Sequence, residues 1–249
     1  MRLDLAAWPD VETYLKRANG LIIPIGSTEQ HGPTGALGTD ALCAEAIARA
    51  VGAEIGVYVG PCIQTGMALH HLAFPGTIAL RPTTLIALME DYVLSLARHG
   101  FRRFLFLNGH GGNEATARAG FAQIYDAAQR IGIETADMRC MLRNWWDAAG
   151  VRALARTKFG AADGAHATAS EIAVVKYLHG DDAPDCARVL QPEIAPMGPI
   201  FGAADFRNRH PDGRMGSNPA LANAEAGRAL FELAVAGLAT AARDALAAD

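Results

Sequence analysis

Six residues of this sequence, three carboxylic acids and three histidines, belong to the types that bind divalent metal ions through oxygen and nitrogen. They stand in three stretches rich in small residues: Glu29, His31, Asp40, His110, His166 and Glu171. The set is large enough for two divalent ions that share one bridging carboxylate, with one histidine left for proton transfer. Two ions that share a ligand lie a few ångströms apart and can lower the pKa of a water between them, so that hydroxide forms at neutral pH. This is the chemistry of a hydrolase. Zinc, manganese and iron all suit such ligands.

Two of these stretches follow apolar runs that are typical of buried strands. Residues 26–40 follow the run at 21–25, and the stretch Asn108-Gly-His-Gly-Gly-Asn113 follows the run at 104–107. Glu29 and His31 are two residues apart, so both side chains point to one side of a locally extended chain. Ligands of α/β proteins usually bind where parallel strands end. The sequence therefore predicts that these stretches meet in one site.

Simpler explanations exist for the same residues. Asp40 precedes the alanine-rich segment 41–51, where aspartate is a favoured helix N-cap, and Glu29 and His31 could be solvated loop residues. Residues 108–113 could form an anion-binding nest with His110 incidental, and Glu171 could merely begin a helix. A nucleotide-binding loop at 108–113 is disfavoured, because neither a G-x-G-x-x-G motif nor a Walker lysine is present.

The rest of the chain predicts an α/β fold with a mostly parallel sheet, covered by helices on both faces. Helices are expected at 8–17, 41–52, 83–99, 114–131, 170–178 and 220–246, and strands at 21–25, 55–63, 104–107 and 133–138. Residues 181–219 are rich in proline, glycine and aspartate and predict short β-like pieces at most. Because no linker is evident, residues 1–249 are expected to form a single domain.

Composition narrows the classes of partner. The chain has 249 residues and a net charge of −4, which argues against nucleic acid or an anionic membrane surface as a partner. It has no apolar run long enough to cross a bilayer, and its first residues do not resemble a signal peptide. The four cysteines are far apart, which predicts reduced thiols rather than disulfides or a zinc–thiolate site. A cytoplasmic protein is therefore expected.

The motifs that carry these residues resemble the creatininase family, which comprises creatinine amidohydrolase and its relatives. In chain order they are Gly26-Ser-Thr-Glu-Gln-His-Gly-Pro33, Leu37-Gly-Thr-Asp40, His71-x-x-Phe-Pro-Gly-Thr77, Asn108-Gly-His-Gly-Gly-Asn113, His166…Glu171, Gly213-Arg-Met-Gly-Ser-Asn-Pro219 and Ala224-Glu-Ala-Gly227. They are long, and they span nearly the whole chain. The resemblance implies a three-layer α/β/α sandwich, a homo-oligomer that is often a hexamer, and a centre of two divalent ions.

The resemblance also implies roles for individual residues. Glu29, Asp40 and His110 would bind one ion, His31 and Asp40 would bind the other, and Asp40 would bridge them. His166 matches the family's catalytic histidine. For contact with the substrate, the candidates are His71, Gly111 and Trp145.

Two departures from the family pattern concern the substrate. Creatinine-hydrolysing members carry a glutamate ligand two positions after the motif histidine, where this chain has Gly112. Glu171 matches an acidic position found in most of the family and is the candidate for the missing ligand. The family often has His-Leu-Pro where this chain has Thr34-Gly35-Ala36, which changes a loop expected to line the pocket. Creatinine itself is therefore not the expected substrate.

The implied reaction is hydrolysis of an amide or cyclic amide in a small molecule, by a hydroxide that bridges two metal ions. Family members also remove formyl groups from amino-pyrimidines and trim a peptide during cofactor maturation, and both activities stay open as alternatives. An alternative of another class is a metal-binding scaffold without catalysis. That reading predicts a broken ligand set, whereas only position 112 is irregular here.

Overall fold

The computed structural model describes residues 1–185 and 188–247, and Cys186 lies outside them. Its central sheet has four parallel strands in the order β2-β1-β3-β4. The strands are β1 (Gly20–Ile25), β2 (Tyr58–Val59), β3 (Arg103–Asn108) and β4 (Arg139–Asn144). The α-helices are α1 (Trp8–Leu15), α2 (Thr39–Ile55), α3 (Pro82–Ala97), α4 (Asn113–Arg130), α5 (Val151–Phe159), α6 (Ala169–His179), α7 (Ala203–Arg209) and α8 (Ala224–Leu246).

Both faces of the sheet are buried under helices. On β1, Ile22 faces one hydrophobic cluster, formed with α2, α5, α6 and α8, while Leu21 and Ile23 face a second cluster, formed with α1, α3 and α4. The side chains of β3 alternate in the same way, with Leu105 on the first face and Phe104 on the second. Because alternate residues of a strand point to opposite faces, continuous apolar runs are what a doubly covered sheet requires. The expected three-layer α/β/α sandwich is confirmed.

The predicted positions of most elements agree with the structure to within a few residues, but the prediction of a strand at 133–138 was wrong. Glu134 Oε1 accepts the backbone N–H groups of Thr135 and Ala136, and this local turn prevents an extended chain there. The strand instead begins at Arg139, which pairs with Arg103 of β3. Its exposed edge position explains why β4 lacks the apolar pattern of a central strand.

Two further segments differ from expectation. The predicted strand at 55–63 shrinks to the two residues of β2, because α2 continues to Ile55 and ends at Gly56 in a left-handed conformation. Within 181–219 the structure contains the helix α7, where only short β-like pieces were expected.

Two sequence-level expectations about the environment can be compared with the structure. Among residues 1–185 and 188–247, no helix combines the length and the apolar character that crossing a membrane requires. Cys43, Cys62 and Cys140 are free thiols, and the fourth cysteine lies outside the described residues.

Candidate metal centre

The six candidate residues come together at the carboxyl ends of β1 and β3. Ile25 and Asn108 are register partners, so the loops that follow these two strands leave the sheet side by side. The first loop carries Glu29 and His31, and the second carries His110. Asp40 is the second residue of α2, two residues beyond the N-cap Gly38, whereas the sequence predicted Asp40 itself as the N-cap. The predicted meeting of these stretches therefore follows directly from strand order.

Asp40 lies between two imidazoles. Its Oδ1 is 3.0 Å from Nε2 of His31, and its Oδ2 is 3.0 Å from Nδ1 of His110. All three side chains are buried. One carboxylate oxygen thus faces each histidine, which is the arrangement that a bridging ligand between two ions needs.

The other nitrogen of each of these histidines is held by a backbone carbonyl. His31 Nδ1 lies 3.0 Å from the carbonyl oxygen of Glu29, and His110 Nε2 lies 3.1 Å from that of Met67. Because a carbonyl can only accept, those nitrogens carry the protons. The nitrogen that faces Asp40 is then the one available to a metal ion, which is how outer hydrogen bonds orient metal-binding histidines.

Glu29 is fully buried, yet neither of its carboxylate oxygens has a hydrogen-bond partner. The nearest groups are Nε2 of His110, 3.3 Å from Oε2, and Nε2 of His71, 3.3 Å from Oε1. Leaving a buried charged group unpaired is costly, so carboxylates in such places are paired or coordinate metals. The orphaned oxygens of Glu29 therefore fit a divalent cation.

Two groups of residues have ligand atoms that lie within 4.8 Å of one another. The first is Glu29, His31 and Asp40, and the second is Glu29, His71 and His166. The expected ligand set of Glu29, Asp40 and His110 differs from both groups. In it, His110 approaches Asp40 with Nδ1 and Glu29 with Nε2. His110 can offer only one of them to an ion, and the bond of Nε2 to Met67 favours Nδ1.

Gln30 joins the two remaining histidines. Its side-chain oxygen accepts the N–H of Gly32, so its amide nitrogen is a donor whose two hydrogens fit His71 Nδ1 at 2.9 Å and the carbonyl of Gly213 at 2.9 Å, and His166 Nε2 lies 2.8 Å from the same nitrogen. His166 Nε2 also lies 2.8 Å from the carbonyl oxygen of Gln30. That bond places the proton of His166 on Nε2. The unprotonated Nδ1 faces the cluster and lies 3.7 Å from Glu29 Oε1. Sequence analysis missed Gln30, although its place between Glu29 and His31 was a signal.

Glu171 approaches the same cluster from α6. Its Oε1 lies 3.8 Å from His31 Nε2 and also accepts the N–H of Thr168, which closes a capping box at the start of the helix. Gly112 is at the opposite side, where a Cβ atom would lie 2.3 Å from His110 Nε2 and 2.7 Å from the carbonyl oxygen of Met67. The structure thus brings an acidic side chain near His31 from α6, and it leaves no room for one at position 112.

A chain of asparagines holds the two loops. Asn108 Oδ1 accepts the N–H of His110, and its Nδ2 donates to the carbonyl of His110 and to Oδ1 of Asn144. Asn113 donates to Asn108 Oδ1 and to the carbonyl of Gly26, which links the loop after β3 to the loop after β1. These bonds fix the orientation of the backbone that carries His110.

The charges of the cluster shift the pKa values of its members strongly. Burial raises the pKa of Glu29 and that of Glu171 to about 7. Burial opposes the charged form of the histidines, but Asp40 raises the pKa of His31 to about 10, and Glu29 with Asp40 raises that of His110 to about 9. The cluster therefore attracts positive charge, and metal binding there would compete with protons.

His166 and His71 behave differently. Burial and the nearby charge of His31 hold the pKa of His166 well below its usual range. Burial and the neighbouring His166 likewise lower the pKa of His71. The rings of His71 and His166 stack at 4.2 Å between centroids. Both are thus neutral imidazoles at neutral pH.

A cavity of about 610 Å³ opens onto the cluster, a size typical of sites for small molecules. Its lining includes Asp40, His110, His166 and Glu171 of the cluster, together with Gly111 and the pair Trp145 and Trp146. His71 is buried and is not among the lining residues. Thr34, Gly35 and Ala36 do not line it either, contrary to the expectation for that loop.

Comparison with known proteins agrees with this picture. The family model described as creatininase, creatinine amidohydrolase, matches residues 4–242. The creatinine amidohydrolase of Pseudomonas putida is 29% identical over 235 residues, which are 90% of this chain and 88% of that protein. The mycofactocin precursor peptide peptidase of Mycobacterium tuberculosis is 40% identical over 103 residues, 37% of this chain and 41% of that protein.

Solved structures of creatininases share the fold. One described as the Mn form has a TM-score of 0.87 and 26% identity, covering 98% of each chain. A mutant described as Zn-Zn type has a TM-score of 0.86 and 26% identity, again covering 98% of each chain. Fold, donor set and these likenesses together define a metal-dependent hydrolase that acts on carbon–nitrogen bonds. The chain belongs to the creatininase family.

Proposed function

We propose that this protein is an amidohydrolase that holds two divalent ions and cleaves an amide or cyclic amide bond other than that of creatinine. The observation that carries the proposal is the position of Asp40, whose two oxygens each face one oriented imidazole at 3.0 Å. A single-ion site would need only one of these contacts. Residues 1–249 are proposed to act as one domain, in keeping with two hydrophobic clusters that share one sheet.

The ligand roles follow from the carboxylate oxygens and histidine nitrogens that have no hydrogen-bond donor of their own among the residues that the structure describes. Glu29, Asp40 and His110 would hold the first ion, and His31, Asp40 and Glu171 the second. Orphaned oxygens on Glu29 and fixed tautomers on both histidines support these roles. Zinc, manganese and iron all suit the donor set, and zinc and manganese have the support of the two related structures.

The residues around the ions would position substrate and protons. Divalent ions held there would supply activated water and polarise the substrate carbonyl. His166 keeps its proton on Nε2 toward Gln30, so Nδ1 can take a proton from the attacking water and deliver it to the leaving nitrogen. The backbone N–H of Gly111, on the cavity wall, can stabilise the developing oxyanion. His71, which contacts Glu29 and Gln30, would orient Glu29 rather than touch the substrate.

The exclusion of creatinine is supported by Gly112. The family's creatinine-hydrolysing members place a ligand at that position, whereas here Glu171 would approach from α6. A metal ligand supplied by α6 instead of the loop after β3 changes the shape of the space in which the ring of a substrate would bind. Formyl-pyrimidine deformylation and peptide trimming are the alternatives within the family, and the local 40% identity to the mycobacterial peptidase favours the second of them.

Elemental analysis of wild type and Glu171→Gln tests the metal centre. Glutamine keeps the oxygen that caps α6 but loses the charge, so the fold should persist. We expect about two ions per wild-type chain and about one per variant chain. Two ions in the variant would remove Glu171 from the ligands, and no tightly held metal in supplemented wild type would reject the mechanism. A product screen that separates formate release, ring opening and peptide cleavage then assigns the reaction.

A homo-oligomer in a reducing, cytoplasmic compartment completes the proposal. Large apolar side chains are exposed along 189–201: Val189, Ile194, Met197, Ile200 and Phe201. Several large apolar side chains exposed in one segment favour an interface there, and the free thiols fit a reducing compartment. Light scattering coupled to size exclusion measures the assembly, for which the family resemblance suggests a hexamer. A monomer at micromolar concentration would contradict it.

A further inference from the structure

We infer that the substrate carries a carboxylate remote from its scissile amide, and that Arg156 of α5 recognises this carboxylate in the cavity. The inference rests on the proposed function, because it names the class of amide that the same site accepts. It concerns the wall of the cavity rather than the metal cluster.

Helix α5 presents two arginines to the cavity. Its buried residues, Val151, Ala155 and Phe159, recur every four positions and pack into the core. Arg152 and Arg156 each follow one of these residues, so they lie one turn apart on a neighbouring stripe of the helix. Both line the cavity that opens onto the metal cluster.

The two arginines differ in what neutralises them. Arg152 donates from Nε to Oδ1 of Asp147 at 2.6 Å, and Asp147 is itself held by Asn144. The guanidinium of Arg156 has no ion pair or hydrogen bond with any residue that the structure describes. One guanidinium on the cavity wall is therefore free to bind a ligand.

The acidic groups that line the same cavity are already engaged. Asp163 accepts the N–H and the hydroxyl of Ser170, which fixes the start of α6. Glu171 accepts the N–H of Thr168 and faces His31. The third acidic group of the lining, Asp40, faces His31 and His110, so within the described part of the chain the cavity wall offers an unpaired cation and no unengaged anion.

A carboxylate is the group that best fits such a wall. A guanidinium presents two parallel N–H donors that match the two oxygens of a carboxylate, and such charged bonds are stronger than neutral ones. Arg156 lines the same cavity of about 610 Å³ as three of the proposed metal ligands, Asp40, His110 and Glu171, so a small molecule could place its amide at the cluster and its carboxylate at Arg156. The arginine would then act on substrate choice and not on the chemical step.

Matched pairs of amides test the inference with zinc-loaded protein. One pair is N-formylglycine and N-formylglycinamide, in which a neutral carboxamide replaces the carboxylate, and the other is dihydroorotate and dihydrouracil, in which a hydrogen replaces it. Hydrolysis is measured as kcat/KM, and binding is measured separately by isothermal titration calorimetry. We expect the carboxylate member to be preferred about tenfold in the pair whose amide is accepted.

Arg156→Met should reduce this preference to about one while neutral amides react as before, because methionine keeps the apolar stem and loses the charge. Arg152→Met is the matched control, because its partner Asp147 already neutralises that arginine. A preference that survives in Arg156→Met, or one that disappears in Arg152→Met, would overturn the inference. So would equal binding of both members of each pair to wild type.

Failure of the proposed function has a different signature. If none of the four amides is hydrolysed but calorimetry shows carboxylate binding that depends on Arg156, the recognition stands and amide hydrolysis of these classes is rejected. If neutral amides are hydrolysed without a carboxylate preference, the hydrolase stands and the role of Arg156 is rejected.

Discussion

Gly112 and His110 are packed so closely that a Cβ atom on Gly112 would lie 2.3 Å from His110 Nε2. The histidine cannot easily move away, because its Nδ1 is 3.0 Å from Asp40 and its Nε2 is 3.1 Å from the carbonyl of Met67. The position of His110, a proposed ligand, therefore requires glycine at 112. A glutamate at position 112 would displace His110.

We expect Gly112→Ala to lower both metal content and stability. The added methyl group must push His110 out of its contacts, and overpacking of this kind costs about 1–3 kcal/mol. Elemental analysis and thermal unfolding measure the two effects. Gly112→Glu should behave in the same way and should not acquire creatinine hydrolysis.

Gly111→Ala is the control for this prediction. A Cβ on Gly111 would meet no atom within 4 Å, so the substitution tests the loop without the clash. Metal content and unfolding temperature should stay close to those of wild type. A Gly112→Ala protein with full metal content and unchanged stability would contradict the packing argument.

Chelation should destabilise the protein, because it would remove the metal ions from the buried carboxylates of Glu29 and Asp40 and leave only protonated histidines to balance their charge. A metal present at a hundred times its Kd stabilises the folded state by about 2.7 kcal/mol. At roughly 2–4 °C per kcal/mol for a chain of this size, the unfolding temperature should fall by about 5–10 °C in calorimetry. Asp40→Asn, which removes the bridging charge, should unfold at the same temperature with and without chelator, and a chelator-sensitive variant would speak against the bridge.

Replacing His166 separates proton transfer from metal binding. We expect His166→Ala to lower kcat by about 10²–10⁴-fold, a typical loss for a general acid–base, with metal content near that of wild type. His31→Ala, the comparison variant, should lose metal as well as activity. His166 lies close enough to Glu29 and His71 to be a ligand, so metal loss in His166→Ala would assign it to the metal instead.

The sequence predicted best what is decided locally. The strands β1 and β3 and the helices after them have unambiguous apolar patterns, and their parallel pairing alone brings the loops with Glu29 and His110 together. The edge strand was misplaced because its start depends on pairing with β3 and on the turn built by Glu134, neither of which leaves a hydrophobic pattern.

Within the site, residue types were predictable and contacts were not. Three histidines and three acids could be chosen from motifs, but the close approach of Gly112 to His110 depends on Met67, which is far away in sequence. Likewise, the sequence does not show which of the two arginines of α5 is unpaired, because that depends on the ion pair between Arg152 and Asp147.

Gln30 offers a test of orientation at a residue that is not a proposed ligand. In Gln30→Leu the carbonyl of Gly213 loses its donor, and the imidazoles of His71 and His166 lose the amide between them. A buried acceptor left unpaired costs about 1–3 kcal/mol, so the unfolding temperature should fall. Turnover should fall too, while metal content persists because Asp40, His31 and His110 keep their contacts.

Gln129→Leu, at an exposed glutamine on α4 with one long hydrogen bond of 3.3 Å to Thr135, controls for the chemical change itself. Unfolding temperature and kcat should stay near wild type in that protein. If Gln30→Leu loses metal instead of turnover, Gln30 supports the cluster as a whole, since its backbone carbonyl and side chain both lie against His166. If Gln30→Leu keeps full activity, the orientation of His166 does not depend on the amide, and its bond to the Gln30 carbonyl at 2.8 Å is sufficient.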